Sequence, residues 1–288
     1  MKTPSQLIRT WLTNRLDDDN DNWLEQRLTL ISTANSDRDL HITLGMIPRK
    51  MGRDDLALST EELAEAAACV DGWDPSQWSI DTAARVLVLC QLAVDKPDQF
   101  GATLKDLCRT ADVAESIALY TSFSVLPHDP ALDSQVGEGL RTNMRAVFEA
   151  IAHRNPFPRK QFDQNRWNHM VLKALFVESS LYPIQGLDER ANAELATIMS
   201  HYAHERWAAG RPVTPELWRC VGPYATGEML DDLKKVVSSD NPREQQAGVL
   251  ALSQSPDPRA ADLLKPYTDV QTMIATGTLS WDTLGESL

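Results

Sequence analysis

Apolar side chains recur at spacings of three and four along nearly the whole chain, and hardly anywhere in the alternation of a half-buried strand. That period puts them on one stripe of an α-helix. A chain of 288 residues patterned this way buries a core only by packing many helices together, so the expected fold is all-α, a multi-helical array. The helix starts are legible. Thr3-Pro4-Ser5-Gln6 offers a capping hydroxyl, a proline at the first helical position and a Gln that closes a capping box. Asn22 with Glu25, Ser59 with Glu62, and Asp112 with Glu115 repeat the box, while Asp74-Pro75, Asn241-Pro242 and Asp257-Pro258 join a cap to a proline. These signals predict about twelve to fourteen helices of roughly 8 to 20 residues.

Breaks are expected at residues 47–58, a surface loop with Pro48 and Gly52, and at residues 125–130. The acidic run 17–21 lacks the glycine and closing glutamate of a calcium loop and reads as a solvated connection. Near the C-terminus, Asp240-Asn-Pro-Arg243 and Pro256-Asp-Pro-Arg259 each open a short helix, 16 residues apart. That rhythm resembles the stacked helix pairs of HEAT repeats, so the array is expected to be partly solenoid-like there. The tail from about residue 276 has Leu279, Trp281 and Leu284 to dock it. The chain reads as three regions, residues 1–139, 140–225 and 226–288, in one continuous unit.

Charge narrows the partner class. With 28 Lys and Arg against 41 Asp and Glu the formal net charge is -13, which repels phosphate backbones and anionic lipid headgroups and argues against nucleic acid. The most apolar stretch, residues 83–94, contains Arg85 and Gln91 and falls short of the ~20 apolar residues of a membrane span. It reads as a buried helix, and direct membrane insertion is not expected. The first residues, interrupted by polar Thr10, Thr13 and Asn14, lack a signal peptide's apolar run. Cys69, Cys90, Cys108 and Cys220 form no Cys-x-x-Cys pair, which predicts buried free thiols in a reducing cytoplasm.

The total charge hides a contrast. Residues 1–139 carry 12 basic and 23 acidic side chains, residues 140–225 carry 11 and 8, and residues 226–288 carry 5 and 10. The cationic centre also holds four of the six His and four of the six Phe. Such a segment suits a site for a flat or anionic organic ligand, or equally a helix layer built on large aromatics whose Arg and His face water. On residues 140–153, Leu140, Met144, Val147, Phe148 and Ile151 share a face and leave Arg145, Glu149 and His153 opposite, with Glu149 and His153 spaced to pair. On residues 163–178, Trp167, Met170, Val171, Ala174 and Leu175 point inward with Asn168 at their edge, where its amide must bond to neighbouring backbone or to a ligand. On residues 190–209 the stripe is Leu195, Ile198, Met199 and Tyr202. Arg206 lies on it one turn later and there requires a carboxylate, a carbonyl or a bound anion.

His201, His204 and Glu205 are the one alternative for a metal, although neither the His-Glu-x-x-His signature nor the ferritin-like motif is present; no metal and no cofactor are expected. Neither Gly-x-Ser-x-Gly nor a glycine-rich phosphate loop occurs. What remains for catalysis is a His and carboxylate pair among Glu149, His153, His201 and Glu205, and the reading leans away from an enzyme.

The same centre carries a resemblance. Arg141-Thr-Asn-Met144, His153-Arg-Asn-Pro-Phe-Pro158, Phe162-Asp163, Trp167-Asn168, Met170-Val-Leu-Lys-Ala-Leu-Phe176, Gly186-Leu-Asp-Glu-Arg-Ala-Asn192, Tyr202-Ala-His-Glu-Arg-Trp-Ala208 and Gly210-Arg211 resemble the EboA family of bacterial metabolite-traffic proteins, firmly over residues 138–225 and loosely in the flanks. The resemblance implies an operon with a membrane protein similar to UbiA-type prenyltransferases and several enzyme-like soluble proteins. It also implies a task in moving a secondary-metabolite precursor to or across the cytoplasmic membrane. It carries over no catalytic residues. The positions within its blocks, Arg141, Asn143, His153, Asn155, Trp167, Asn168, Lys173, Arg190, His204, Arg206 and Trp207, are the candidate ligand site, or equally the caps and packing residues of the fold. In the first case Arg206, Arg141 and Lys173 supply charge, Trp167, Trp207 and Phe157 supply stacking walls, and Asn143, Asn168 and His204 supply directional bonds.

The expected protein is thus a cytoplasmic helical binding or scaffold protein for a small aromatic or anionic metabolite, peripheral to the inner membrane through a partner. One rival is an adaptor without its own ligand, docking that membrane protein or a sister enzyme through residues 226–275. The other is an enzyme using a His and carboxylate pair, with or without metal.

Overall fold

Eighteen α-helices, three short 3-10 turns and one isolated bridge, Asp55 to Ser79, make up the regular structure of the described residues, 2–33 and 37–288 of the computed structural model. The fold is all-α and multi-helical, as the periodicity requires. Fourteen of the eighteen helices have eight residues or more. The chain divides into two units, Met1–Gln161 and Phe162–Leu288.

The first unit holds α1 (Pro4–Thr13), α2 (Asp18–Thr33), α3 (Arg38–Met51), α4 (Thr60–Cys69), α5 (Ile80–Asp95), α6 (Pro97–Thr110), α7 (Val113–Thr121), α8 (Asp133–Arg141), α9 (Arg145–Ala152) and α10 (Pro156–Gln161). The apolar stretch at 83–94 forms most of α5, which packs against α1, α2, α3, α6 and α7. Residues 83–90 of α5 are buried without interruption, because neighbours surround that helix. No described helix is long and apolar enough to cross a membrane. Thr3, Ser59 and Asp112 close their capping boxes with Gln6, Glu62 and Glu115 as expected.

Four expectations fail here, each for a local reason. The run 17–21 is no connection, and Asn22 starts no helix. Asp17 Oδ1 accepts the Asn20 amide at 2.8 Å, and α2 begins at Asp18 with three aspartates in its first turn, where the helix dipole favours negative charge. Asp21 further binds Arg9 at 2.5 and 2.9 Å, and that guanidinium holds its carboxyl below the usual range. Asp74-Pro75 opens a turn instead of a helix, with Asp74 Oδ1 accepting the Ser76 amide at 3.0 Å; Ser79 is the cap of α5. The single helix expected over 140–153 is broken between α8 and α9, where Thr142 Oγ1 takes the Met144 amide at 3.1 Å and Met144 is left exposed.

The fourth concerns Pro48, which lies inside α3, so residues 47–51 are helix and not loop. A proline within a helix leaves the carbonyl four residues earlier without its N–H donor. That carbonyl is Leu44 O, and Arg85 Nε of α5 donates to it at 3.2 Å. The guanidinium is buried and anchored by Asp81 one turn back, Nη1 to Oδ2 at 2.6 Å. The unexpected cation in the most apolar stretch therefore replaces the donor that Pro48 lacks.

The second unit holds α11 (Gln164–Phe176), α12 (Ala193–Ala208), α13 (Leu217–Val221), α14 (Glu228–Val237), α15 (Pro242–Gln254), α16 (Arg259–Leu264), α17 (Thr268–Ala275) and α18 (Trp281–Glu286). Asn241 and Asp257 accept the amides of Arg243 and Arg259, both at 3.0 Å, as the Asn-Pro and Asp-Pro pairs predict. Helix pairs do pack towards the C-terminus: α15 lies against α13, α14, α16, α17 and α18. Leu279, Trp281 and Leu284 are buried and dock the tail as expected. The buried face of α12 is Leu195, Ala196, Met199, Ser200 and Ala203, rotated from the stripe read on Ile198 and Tyr202. Arg206 consequently sits at its margin.

Close approach of α14 and α15 depends on Gly248, where a Cβ would stand 2.7 Å from the Val237 amide nitrogen. Gly248→Ala is expected to lower stability by about 1–3 kcal/mol through overpacking, outweighing the ~1 kcal/mol that Ala gains in helix propensity. A thermal melt that rises instead would contradict the backbone contact.

Candidate functional site

The cationic centre is largely spent on ion pairs. Arg141 binds Glu138 one turn back on α8. Arg145 Nε binds Glu149 Oε1 at 2.7 Å, the same carboxylate that sequence spacing offered to His153. Arg154 Nε stands 3.4 Å from Asp74 Oδ2, and Arg159 and Lys160 both reach Asp71. In the second unit Arg219 bridges Asp188 at 2.7 Å and Asp282 at 2.8 Å. The positive segment is thus paired with carboxylates that include three from the acidic N-terminal region, Asp71, Asp74 and Glu138.

In the first unit, two of the expected site residues share a hollow. A cavity of about 320 Å³ is walled by Ile117 and Thr121 of α7, Ser124 of the adjoining 3-10 turn, and Ala146, Glu149 and Ala150 of α9. His153, Arg154 and Asn155 at the exit of α9 and Asp74, Gln77 and Trp78 before α5 complete the wall. Two larger hollows in this unit, about 590 and 690 Å³, are more open and contain none of the expected site residues. The chain turns sharply to build the wall: Arg154 has φ +49°, a left-handed conformation that non-glycine residues rarely adopt. Asn155 locks the turn on both sides. Its Nδ2 donates to Ala150 O at 3.1 Å, and its Oδ1 accepts the Phe157 amide at 3.0 Å as the cap of α10. Phe157 is buried, edge-on to Phe123 at 5.3 Å, so it serves the core. Arg141 and Asn143 are exposed surface residues that do not line the cavity.

One atom in this wall stands out. Ser124 is 5% exposed, and its Oγ is buried with no hydrogen-bond partner. Buried hydroxyls are normally satisfied, and leaving one unpaired costs about 1–3 kcal/mol.

The remaining expected residues lie in the second unit, each with a local role. Asn168 is buried among side chains: its Oδ1 accepts from Gln164 and Asn192, both at 3.0 Å, and its Nδ2 donates to Asn192 and Glu194, both at 3.3 Å. Because Asn192 Oδ1 caps α12 through the Leu195 amide at 2.9 Å, Asn168 braces a helix start. Trp167 is fully buried with Arg190 stacked 4.7 Å over its ring, and burial pushes the Arg190 pKa down, an effect that Asp163 opposes. Burial also lowers the Lys173 pKa. Arg206 Nε donates to Pro212 O at 3.0 Å, the carbonyl option among its expected partners. Trp207 stacks on Trp218 at 5.6 Å and carries Lys235 3.6 Å above its ring.

His204 Nε2 lies 2.7 Å from Asp232 Oδ1, while Ser200 Oγ donates to Oδ2 of the same carboxylate at 2.8 Å. The residue types are those of a hydrolase triad but the order is wrong, since a nucleophilic serine must bond to the histidine. Among the described residues no group of three or more His, Cys, Asp or Glu is arranged to hold a metal, so His201, His204 and Glu205 do not assemble one. The four cysteines are free, and burial pushes the Cys90, Cys108 and Cys220 thiols up to about 12.

With this geometry in place, the comparison with known proteins is decisive for the family. Residues 4–222 match the family described as "Metabolite traffic protein EboA". The chain belongs to the EboA family. The match reaches back to α1, well beyond the blocks at 138–225, and so spans every residue of this chain's cavity wall. No curated protein and no solved structure matches the chain. The EboA block His153-Arg-Asn-Pro-Phe-Pro158 supplies three cavity residues, whereas Asp74, Trp78, Ile117, Thr121 and Ser124 carried no separate sequence signal as site residues.

Proposed function

We propose that this EboA-family protein is a non-catalytic binding and scaffold protein that holds a small metabolite in the cavity of its first unit during traffic towards the membrane. The observation that carries this reading is the cavity itself, whose wall takes His153, Arg154 and Asn155 from the His153-to-Pro158 block and closes against α7 and the segment before α5. A cavity near 320 Å³ falls at the small end of the ~300–1,000 Å³ range of ligand sites. The family description, metabolite traffic, agrees with such a carrier. A non-catalytic role is favoured by the silent chemistry of the polar groups: the thiols are protonated, and the Ser, Asp and His of α12 and α14 are in the wrong order for a nucleophile. The anionic ligand expected from Arg206, Arg141 and Lys173 gains no support, because none of the three lines the cavity.

Ala146 is exposed and lines the cavity, so Ala146→Phe is expected to fill it without disturbing the core. Calorimetry of metabolite extracts and small-molecule panels is expected to find a ligand for the wild-type protein and at least a hundredfold weaker binding for the variant, with an unchanged melting temperature. Equal binding by both would place the ligand elsewhere.

A further inference from the structure

Apart from the cavity, we propose that the outer face of α11 docks a helix of another protein, one that joins an apolar seam to acidic residues along one flank. At ~100° per residue, Asn165, His169, Leu172 and Phe176 fall on one stripe of α11, opposite the buried Trp167, Val171 and Ala174. Phe176, at the end of that stripe, is 63% exposed, and Leu172 is half-buried. Spacings of four, three and four are those of a seam between two helices. The aromatic is held in place: Tyr202 of α12 stands edge-on to Phe176 with ring centres 5.2 Å apart, and its hydroxyl donates to Leu175 O at 3.4 Å. A fixed, exposed phenyl ring on an apolar stripe has the form of an interface anchor.

Charge decides the kind of partner. Residues 164–177 contain no Asp or Glu, and among the described residues Arg166, His169 and Lys173 have no carboxylate partner; Arg166 rests on the Phe162 ring at 5.5 Å. Arg166 and Lys173 share the flank away from α12, because α12 meets the opposite flank at Asn168 and Leu175. The carboxylates closest along the chain, Asp163 and Glu178, stand beyond the two ends of the helix. Burial lowers the Lys173 pKa and no carboxylate opposes it, so an acidic side chain brought by a partner supplies what α11 lacks. A second copy of this chain presents only the same acid-free stripe. An anionic bilayer is a broad surface that meets the net charge of -13, whereas a single helix meets the stripe alone.

A displayed library of helical peptides, with Leu fixed at the seam positions and the flanking positions random, is selected against the full-length protein. The selected peptides are expected to be enriched in Asp and Glu over Lys and Arg along one flank. They are expected to bind Phe176→Ser about tenfold more weakly than wild type, while the variant melts close to wild type because the ring it removes is exposed. Lys173→Glu is expected to lose the acidic peptides and to take their Lys-substituted counterparts instead. No enrichment, selection without an acidic preference, or equal binding to Phe176→Ser would overturn the proposal. Co-sedimentation with phosphatidylglycerol vesicles that Phe176→Ser abolishes would give the face to a bilayer. Self-association abolished by the same change would give it to a second copy, and either result sinks the helix partner.

Discussion

Arg85→Met is expected to cost about 3–5 kcal/mol, the usual penalty for removing one partner of a buried ion pair. Two groups lose their partner in that variant. Asp81 keeps only the Ser79 hydroxyl, at 2.5 Å, and Leu44 O loses the guanidinium that stands in for the missing amide of Pro48. The second loss can be repaired separately. In Pro48→Ala the restored amide of residue 48 returns to Leu44 O by ordinary helix geometry. The double variant Arg85→Met with Pro48→Ala is therefore expected to recover about 1–2 kcal/mol relative to the sum of the single changes. Chemical denaturation of the four proteins measures this coupling. Strict additivity would mean that Arg85 stabilises the protein only through Asp81 and that Pro48 is accommodated by other means.

This pairing also marks where sequence reading reaches its limit. The period of three and four announces the helices, and the capping boxes at Thr3, Ser59 and Asp112 place three starts correctly, because a cap is satisfied within four residues of itself. Pro48 has the local form of a loop residue because its remedy lies on another helix, 37 positions later at Arg85. The acidic run 17–21 misleads for a related reason. Asp17 is a cap without the Glu three residues on that completes a box, and only the fold reveals that Arg9 waits for Asp21.

The candidate site is legible to the same extent. His153 and Asn155 stand out because the block that contains them is contiguous. The opposite wall does not, since Asp74-Pro75 has the local form of a helix start and becomes cavity wall only when Arg154 pairs with Asp74. Summing charges by segment misleads for the same reason. The cationic centre exists along the chain, but Arg159 meets Asp71, 88 residues away, so its charge is not displayed to a ligand. Of the eleven expected site residues only His153 and Asn155 stand in the cavity wall; others, such as Asn168 and Arg206, spend their polar atoms on helix starts and loops.

Glu216 extends the argument to a residue that neither charge nor motif singled out. Its buried carboxylate accepts the Leu181 amide at 3.0 Å and the Tyr182 amide at 2.5 Å, and the terminal helix α18 covers it so closely that a Cβ at Gly285 would lie 2.9 Å from its Oε1. Glu216→Ala strands both amides and is expected to cost about 2–5 kcal/mol, from ~1–3 kcal/mol for each orphaned donor. Glu216→Gln retains an acceptor and should cost less, but its main effect is on pH dependence. Burial pushes the Glu216 carboxyl above its ordinary 4.5, against the opposing pull of the two amides and Arg219. The folded protein therefore holds this proton more tightly than the unfolded chain. As pH rises from about 4.5 through the raised value, the unfolded state loses the proton first and folding stability falls. Glu216→Gln cannot titrate, so the stability of wild type relative to this variant is expected to decline with rising pH across that window and to level off above it. Denaturation midpoints of the two proteins, compared from pH 4 to 8, test the sign. A relative stability that climbs with pH would show that the amides and Arg219, rather than the covering helix, govern the carboxylate.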